Sequence, residues 1–294
     1  MRSGRLREFG TDACRIVHGD ALEVLDDVVA DGSADLVFAD PPYNLGKRFG
    51  TTADSWPDEA SYLSWTRCWL DLCVRKLAPT GSMYVMASTQ AMPHVDLHLR
   101  GRVTILSRIV WHYDSSGIQA RQRFGSLYEP ILHAVADRAR YTFNADAVLV
   151  EARTGARRRL VDRRGPAPRP YAETKVPGNV WQFPRVRYRM KEYEEHPSQK
   201  PEALLERVVL ASSNPGDLVL DPFAGTFTTG AVAVRHGRRF VGVEREEQYV
   251  EIGRRRLGLT GAGGAAPAGA AGAARPAQED VVDISRAGER RPAR

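Results

Sequence analysis

Two turns in this 294-residue sequence combine residue types that could do chemistry. The first is Asp221-Pro222-Phe223-Ala224-Gly225-Thr226, set between a buried-strand run and a helical pattern. Small side chains at Ala224 and Gly225 let a ligand approach the backbone closely, just ahead of a helix N-terminus. Glu244 closes the next strand, 19 residues after Gly225, where a carboxylate can accept from both hydroxyls of a ribose. Only Gly225 stands where a dinucleotide fingerprint wants three glycines, so adenosine without a diphosphate fits better than NAD. An ordinary βαβ unit is the alternative reading. The second turn is Asp40-Pro41-Pro42-Tyr43-Asn44, at the end of the apolar run 35–39. The Asp40 carboxylate and the Pro41 carbonyl are hydrogen-bond acceptors. The two prolines are expected to keep the Tyr43 ring from collapsing into the gap, leaving it as a platform for a planar group. Two acceptors beside a flat platform suit the exocyclic amino group of a base; the alternative is a Pro-Pro strand breaker and nothing more.

The elements that must position these turns can be read from periodicity. Strand-like runs cover 15–18, 35–39, 83–87, 103–111, 130–135, 218–220 and 240–243. Helical patterns cover Ala21, Leu22, Leu25, Val28 and Val29, then 58–77, 201–213, a stretch ending near His236, and 246–257. Pro79-Thr80-Gly81 reads as the end of the second helix, and 112–125 as a long polar loop. From about 140 to 195 the pattern breaks into short strands and Pro/Arg-rich stretches. Strand–helix alternation at both ends implies an α/β fold with a largely parallel sheet. The irregular stretch between reads as a separate small lobe. Residues 258–294, rich in Ala, Gly, Pro and Arg, read as a disordered tail. In ligand-binding open sheets of this kind the site lies beyond the carboxyl ends of the strands, so both turns are expected to face one crevice.

Charge is segregated along the chain. Lys plus Arg number 42 against 36 Asp plus Glu, a net charge of +6. Between Arg138 and Lys191, 14 basic residues face four acidic ones, a net +10, which leaves −4 for the rest. Such a patch suits a polyanion. In Arg185-Val186-Arg187-Tyr188-Arg189 an extended strand would put three cations on one face, where they could track phosphates. Arg121 and Arg123, beside Phe124 on the polar loop, could also reach a nucleic-acid backbone. No apolar run approaches the roughly 18–20 residues that cross a bilayer. The start, MRSGRLREFG, lacks the apolar core of a secretory signal. Three cysteines without paired spacing read as reduced thiols of a cytoplasmic protein, not as a disulfide or zinc scaffold. His94 and His98 have no third ligand beside them, so no metal is expected.

Taken together, Asp40-Pro41-Pro42-Tyr43 and the distant Asp221-Pro222-Phe223-Ala224-Gly225 resemble the DNA amino-methyltransferases that use S-adenosyl-L-methionine. The order, base-binding loop first and cofactor turn last with a variable region between, resembles the β class of that family. His196-Pro197-Ser198-Gln199-Lys200-Pro201 is similar to the segment preceding the cofactor turn in that class. The resemblance runs from about Ile16 to Arg256, and 178–188 and 114–117 look closer still to the YhdJ-type adenine-specific enzymes. It implies a Rossmann-like methyltransferase fold with circularly permuted motif order. An N-terminal extension (1–13) would precede a methyltransferase domain (14–257) holding an inserted target-recognition region (138–195). Asp221, Phe223, Ala224, Gly225 and Thr226 would line the methionine part of the cofactor. Glu244 would hold the ribose, Asp20 the adenine amino group, and Lys200 the carboxylate. Asp40, Pro41, Pro42 and Tyr43 would hold the target base, flipped out of double-stranded DNA. Arg121, Arg123, Arg185, Arg187 and Arg189 would contact that DNA. One departure is Thr226-Phe227, where many relatives carry Ser-Gly; a Phe there is expected to reshape the methionine pocket. The resemblance implies N6-adenine transfer, with cytosine-N4 transfer or a non-catalytic nucleoside-sensing regulator as rivals. It leaves open whether the protein forms a homodimer.

Overall fold

The central strands are buried almost throughout, and successive side chains enter opposite cores. Leu36 and Phe38 enter one core while Val37 and Ala39 enter the other, the two-residue period of a sheet covered on both faces. The computed structural model describes residues 7–113, 121–122, 124–152 and 161–260. Nine strands form the sheet: β1 (Arg7–Thr11), β2 (Cys14–His18), β3 (Ala34–Ala39), β4 (Leu77–Met86), β5 (Thr104–His112), β6 (Tyr128–Val135), β7 (Val180–Gln182), β8 (Leu218–Asp221) and β9 (Arg239–Glu244). Their spatial order is β1-β2-β9-β8-β3-β4-β6-β5-β7. From β2 to β4 all neighbours are parallel. β6 runs against both its neighbours, and β1 against β2.

Helices α1 (Ala21–Val28), α2 (Glu59–Lys76) and α3 (Met92–Leu99) cover one face. α4 (Glu202–Ser212), α5 (Thr228–Arg235) and α6 (Glu247–Arg256) cover the other. Asp20 sets the start of α1, its side chain accepting from the Leu22 N–H at 2.9 Å. That phase buries Ala21, Leu25 and Val28 and turns Leu22 outward, contrary to its expected place on the apolar face.

Several boundaries differ from the sequence reading. Pro79-Thr80-Gly81 does not lead into a loop: β4 starts at Leu77 and runs through. The register with β3 jumps from Ala34↔Leu77 to Leu36↔Ser82, and that irregularity accommodates a proline without an N–H to offer. Residues 7–11 form an edge strand whose side chains are largely exposed, so no apolar alternation announces it. The stretch 138–195 is not a separate lobe. Its residues Val180–Gln182 pair with Val110–His112 as the last strand of the main sheet. The Trp111 indole donates to the Phe183 carbonyl at 2.9 Å. Asn144 is tied to the end of α4 through the Leu210 and Ser213 carbonyls. A three-residue strand is too short for a periodicity argument to find. Arg123, 114–117, 157–159 and 261–294 lie outside the described residues.

Phe227 is fully buried with φ +59, a left-handed conformation that favours glycine. Its ring points into the core, where Gly253 of α6 and Gly242 of β9 make room. A Cβ at Gly253 would lie 2.2 Å from the Phe227 ring. The ring is absent from the lining of the cleft described below, so Phe227 does not reshape that pocket as expected. Gly253→Ala should cost about 1–3 kcal/mol by overpacking, beyond what it regains in helix propensity. Chemical denaturation should show the lower midpoint.

Candidate active site

Parallel strands end at one edge of the sheet, and this edge gathers the acids. Asp20 follows β2, Asp40 follows β3, Asp221 closes β8 and Glu244 closes β9. They line one open cleft of about 920 Å³, together with Gly19, Pro41, Pro42, Phe223, Ala224, Gly225, Thr226, His196 and Lys200. Both turns singled out in the sequence therefore share a cavity. A smaller hollow of about 290 Å³ adjoins it, lined by Asp40, Pro41, Pro42, Tyr43, Lys47, Asp54, Glu129 and Lys200.

The cofactor-side turn is held by hydrogen bonds to its acids. Asp221 accepts from the Phe223 N–H at 3.0 Å and the Thr229 hydroxyl at 2.6 Å. Glu244 accepts from the Gly225 N–H at 2.9 Å and the Glu246 N–H at 2.8 Å. Burial pushes the carboxyls of Asp221 and Glu244 up to about 7, against the pull of those donors. Gly225 has φ +51, and a Cβ there would meet the His196 ring at 3.3 Å. His196 packs on Tyr249 at 4.5 Å and Phe49 at 5.5 Å between ring centroids. Burial, with help from Lys200 and Lys47, lowers its pKa to about 3, so it is neutral.

The Asp40 loop is fixed from both sides. The Tyr62 hydroxyl donates to the Pro42 carbonyl at 3.1 Å. Buried Asp54 accepts from the Tyr43 N–H at 3.3 Å and also from the Lys47 N–H. Asn44 has φ +58 and accepts from the Trp56 N–H at 3.0 Å. Glu246 accepts from the Thr51 N–H and the Thr51 and Thr52 hydroxyls at 2.8–2.9 Å, tying residues 48–53 to the end of β9. Asp54 and Glu246 were not singled out in the sequence, because nothing about an Asp after Thr-Thr-Ala or an acid two residues past a strand marks it as buried.

Several of the expected site residues make contacts that their sequence positions do not announce. Lys200 was expected beside a cofactor carboxylate. It borders the large cleft, but its ammonium sits 2.6 Å from Asp40 Oδ2 and 3.5 Å from Glu129 Oε2. Burial works against that charge, yet the two carboxylates outweigh it and hold the Lys200 pKa up. Burial raises the Asp40 carboxyl, opposed by Lys200. The Tyr43 ring is not a free platform: it packs against the core below, and its hydroxyl reaches back to Asp40 Oδ1 at 2.7 Å. Rigid prolines restrain the backbone, but they leave the χ angles free to turn inward. Arg185, Arg187 and Arg189 do not form an alternating strand. A turn closes there, with the Met190 N–H on the Arg187 carbonyl and Arg189 at φ +74. Arg187 and Arg189 remain exposed. Arg185 instead turns inward to the Tyr113 hydroxyl at 2.5 Å and to Glu129 at 3.0 Å. Arg121 is exposed on its loop, and Arg123 lies outside the described residues. His98 pairs with Asp71 at 2.8 Å, and among the described residues no group of three or more His, Cys, Asp or Glu could hold a metal. No described helix is long and apolar enough to cross a membrane.

The three-layer α/β/α fold thus sets an acidic cleft and an Asp-Pro-Pro-Tyr loop at one sheet edge, as the resemblance to the amino-methyltransferases implies. The family model for DNA methylase of the N6/N4 type matches residues 34–255, more than half of the chain. The chain therefore belongs to the N6/N4 DNA methylase family. It is 56% identical over 258 residues to the DNA adenine methyltransferase YhdJ of Escherichia coli K12, covering 87% of each chain. The M1.HpyAVI–SAM complex superposes with a TM-score of 0.57 at 23% identity, over 84% of this chain and all of that one. The cytosine-N4-specific PvuII DNA methyltransferase does so at 0.64 and 18%, over 85% of this chain and 90% of that one.

The raised Glu244 pKa carries a sign. Its carboxyl ionises near 4.5 when unfolded and near 7 when folded. Between those values the folded state holds the extra proton, so stability falls as pH rises from about 4.5 to 7 and is flat above. Glu244→Gln should remove a loss on the order of 3 kcal/mol from that window. Urea titrations of both proteins across pH 5–8 would reveal it as a flattened profile.

Proposed function

We propose that this methylase transfers the methyl group of S-adenosyl-L-methionine to the N6 amino group of an adenine in double-stranded DNA, with the base turned out of the helix. The sharing of one cleft by the Asp221–Gly225 turn and the Asp40 loop carries this reading. The first turn suits a nucleoside sulfonium, and the second an amino group beside it. The identity to a DNA adenine methyltransferase supports adenine as the base.

The residues of the large cleft fit the cofactor. Glu244 is a buried carboxylate that gains from two ribose hydroxyl donors, and the left-handed Gly225 keeps the backbone open beside it. Asp20 lines the same cleft and presents an acceptor for an adenine amino group. Asp221, Phe223, Ala224 and Thr226 form the wall for the methionine portion. When bound, S-adenosyl-L-methionine supplies an electrophilic methyl group on a sulfonium.

The N6 lone pair of adenine is delocalised into the ring, so the amine is a weak nucleophile. Asp40 and the Pro41 carbonyl accept its two N–H groups, favour a pyramidal nitrogen and aim the lone pair at the methyl group. Positioning and electrostatics then carry the step without a covalent enzyme intermediate: the nitrogen–carbon bond forms as the carbon–sulfur bond breaks, the neutral thioether leaves, and the methylated nitrogen gives up one proton to Asp40 or water. In a duplex the same amino group is paired and stacked, so the base leaves the helix to reach the smaller hollow. Tyr43 walls that hollow, with its hydroxyl on Asp40. Exposed Arg121, Arg187 and Arg189 bind backbone phosphates, and the basic stretch 138–195 serves target recognition.

Asp40→Ala should abolish transfer of labelled methyl groups to DNA, a loss of at least about a hundredfold for a removed electrostatic contact. Calorimetry should still detect S-adenosyl-L-methionine binding. Digestion of the methylated DNA and mass spectrometry of its nucleosides should return N6-methyladenine. N4-methylcytosine, or transfer that survives in the Asp40 variant, would overturn the reading.

A further inference from the structure

We infer that Glu129 is a positioning residue that draws the Tyr43 hydroxyl off Asp40, so that the amino group of the target base can take its place. The inference rests on the assignment of Asp40 as the acceptor for that amino group.

In the structure both oxygens of Asp40 are engaged. Oδ2 receives Lys200 at 2.6 Å, and Oδ1 receives the Tyr43 hydroxyl at 2.7 Å. A hydroxyl has one proton to give, yet this one has a second carboxylate in reach: Glu129 Oε2, at 3.2 Å. Both oxygens lie within hydrogen-bond reach of the hydroxyl, so a turn of the O–H with a small shift of the ring exchanges one acceptor for the other. The exchange leaves the hydroxyl bonded to a charged oxygen throughout, so nothing polar is stranded in a buried place.

Glu129 is built to be the waiting acceptor. It is the second residue of β6, the strand that runs against its neighbours, so the start of β6 lies at the sheet edge where β3 and β5 end. Arg185 holds Oε1 at 3.0 Å and lies 3.8 Å over the Tyr113 ring, which leaves Oε2 toward Tyr43 and Lys200. The neighbouring cations outweigh the opposing effect of burial and keep Glu129 below the usual carboxylate range, so it stays ionised. Tyr43 thus has two resting places, and arrival of an amine on Asp40 selects the second.

Glu129→Gln is the discriminating variant. Arg185 can only donate, so it turns the amide oxygen of the substituted side chain toward itself and the NH2 toward Tyr43. The hydroxyl then has no acceptor but Asp40. Full-length protein is assayed for transfer of tritiated methyl groups to genomic DNA lacking adenine methylation. Glu129→Gln should raise KM for DNA and lower kcat/KM roughly ten- to a hundredfold, while binding S-adenosyl-L-methionine as the parent does. Removing the hydroxyl should relieve the defect. Tyr43→Phe with Glu129→Gln should recover most of the lost kcat/KM, and in the Tyr43→Phe background Glu129→Gln should cost less than about threefold. A purely structural Glu129 would show no recovery. If Glu129→Gln does not fold, Glu129→Asp, whose shortened carboxylate held by Arg185 falls short of Tyr43, enters the same pairing with Tyr43→Phe. Unchanged kcat/KM in the single variant, or no recovery in the double, overturns the inference. Full activity in Asp40→Ala would instead overturn the assignment on which it rests.

Discussion

A carboxylate withdrawn from water needs a cation beside it, and at the centre of this protein Lys200 supplies one for Asp40. The two residues are 160 positions apart, so their 2.6 Å contact exists only when the early and late parts of the sheet are assembled. Breaking a buried pair by removing one member strands the other charge, at a cost of about 3–5 kcal/mol. Glu129 and Arg185 extend the pair into a cluster of two acids and two bases, fed by β3, β6, β7 and the lead into α4. Charge balance there joins four separate stretches of chain at one place.

Parallel pairing makes that assembly cheap in geometry. β2, β9, β8, β3 and β4 all run one way, so every residue that closes a strand emerges on the same edge. β8, late in the chain, lies between β3 and β9, which sets the Asp221 turn beside the Asp40 loop although 180 residues separate them. Antiparallel β6 starts at this edge instead of ending there, and so brings Glu129 to the cluster at the second pair of its ladder with β5, Trp111↔Glu129.

The two sides of the cleft are electrostatically unlike. On the cofactor side burial outweighs the backbone and hydroxyl donors of Glu244 and Asp221, and the charge of Arg245 beside Glu244, so their carboxyls rise to about 7. Such acids gain when a ligand brings further donors. On the base side Lys200 and Arg185 hold Glu129 ionised. One side awaits hydroxyl groups, and the other keeps fixed charge ready for an amine.

Much of this was legible in the residues themselves. Apolar runs ending in Asp40, Asp221 and Glu244, with Gly225 in the turn between the last two, specify strand ends and close backbone approach by local chemistry alone. The helical periodicity of α2 and α4 is local too, as is the basic bias of 138–191. Other features depend on partners far away in sequence. Lys200 reads as a partner for a cofactor carboxylate until Asp40 and Glu129 are placed against it. Arg185 reads as one of three alternating cations until the chain turns at 187–190 and Tyr113 draws it inward. The Tyr43 ring, restrained by its prolines only in backbone, takes its direction from Asp40 and the core below it. Secondary structure follows from neighbours along the chain, whereas the pairing of buried charge follows from neighbours across it, and only folding brings those together.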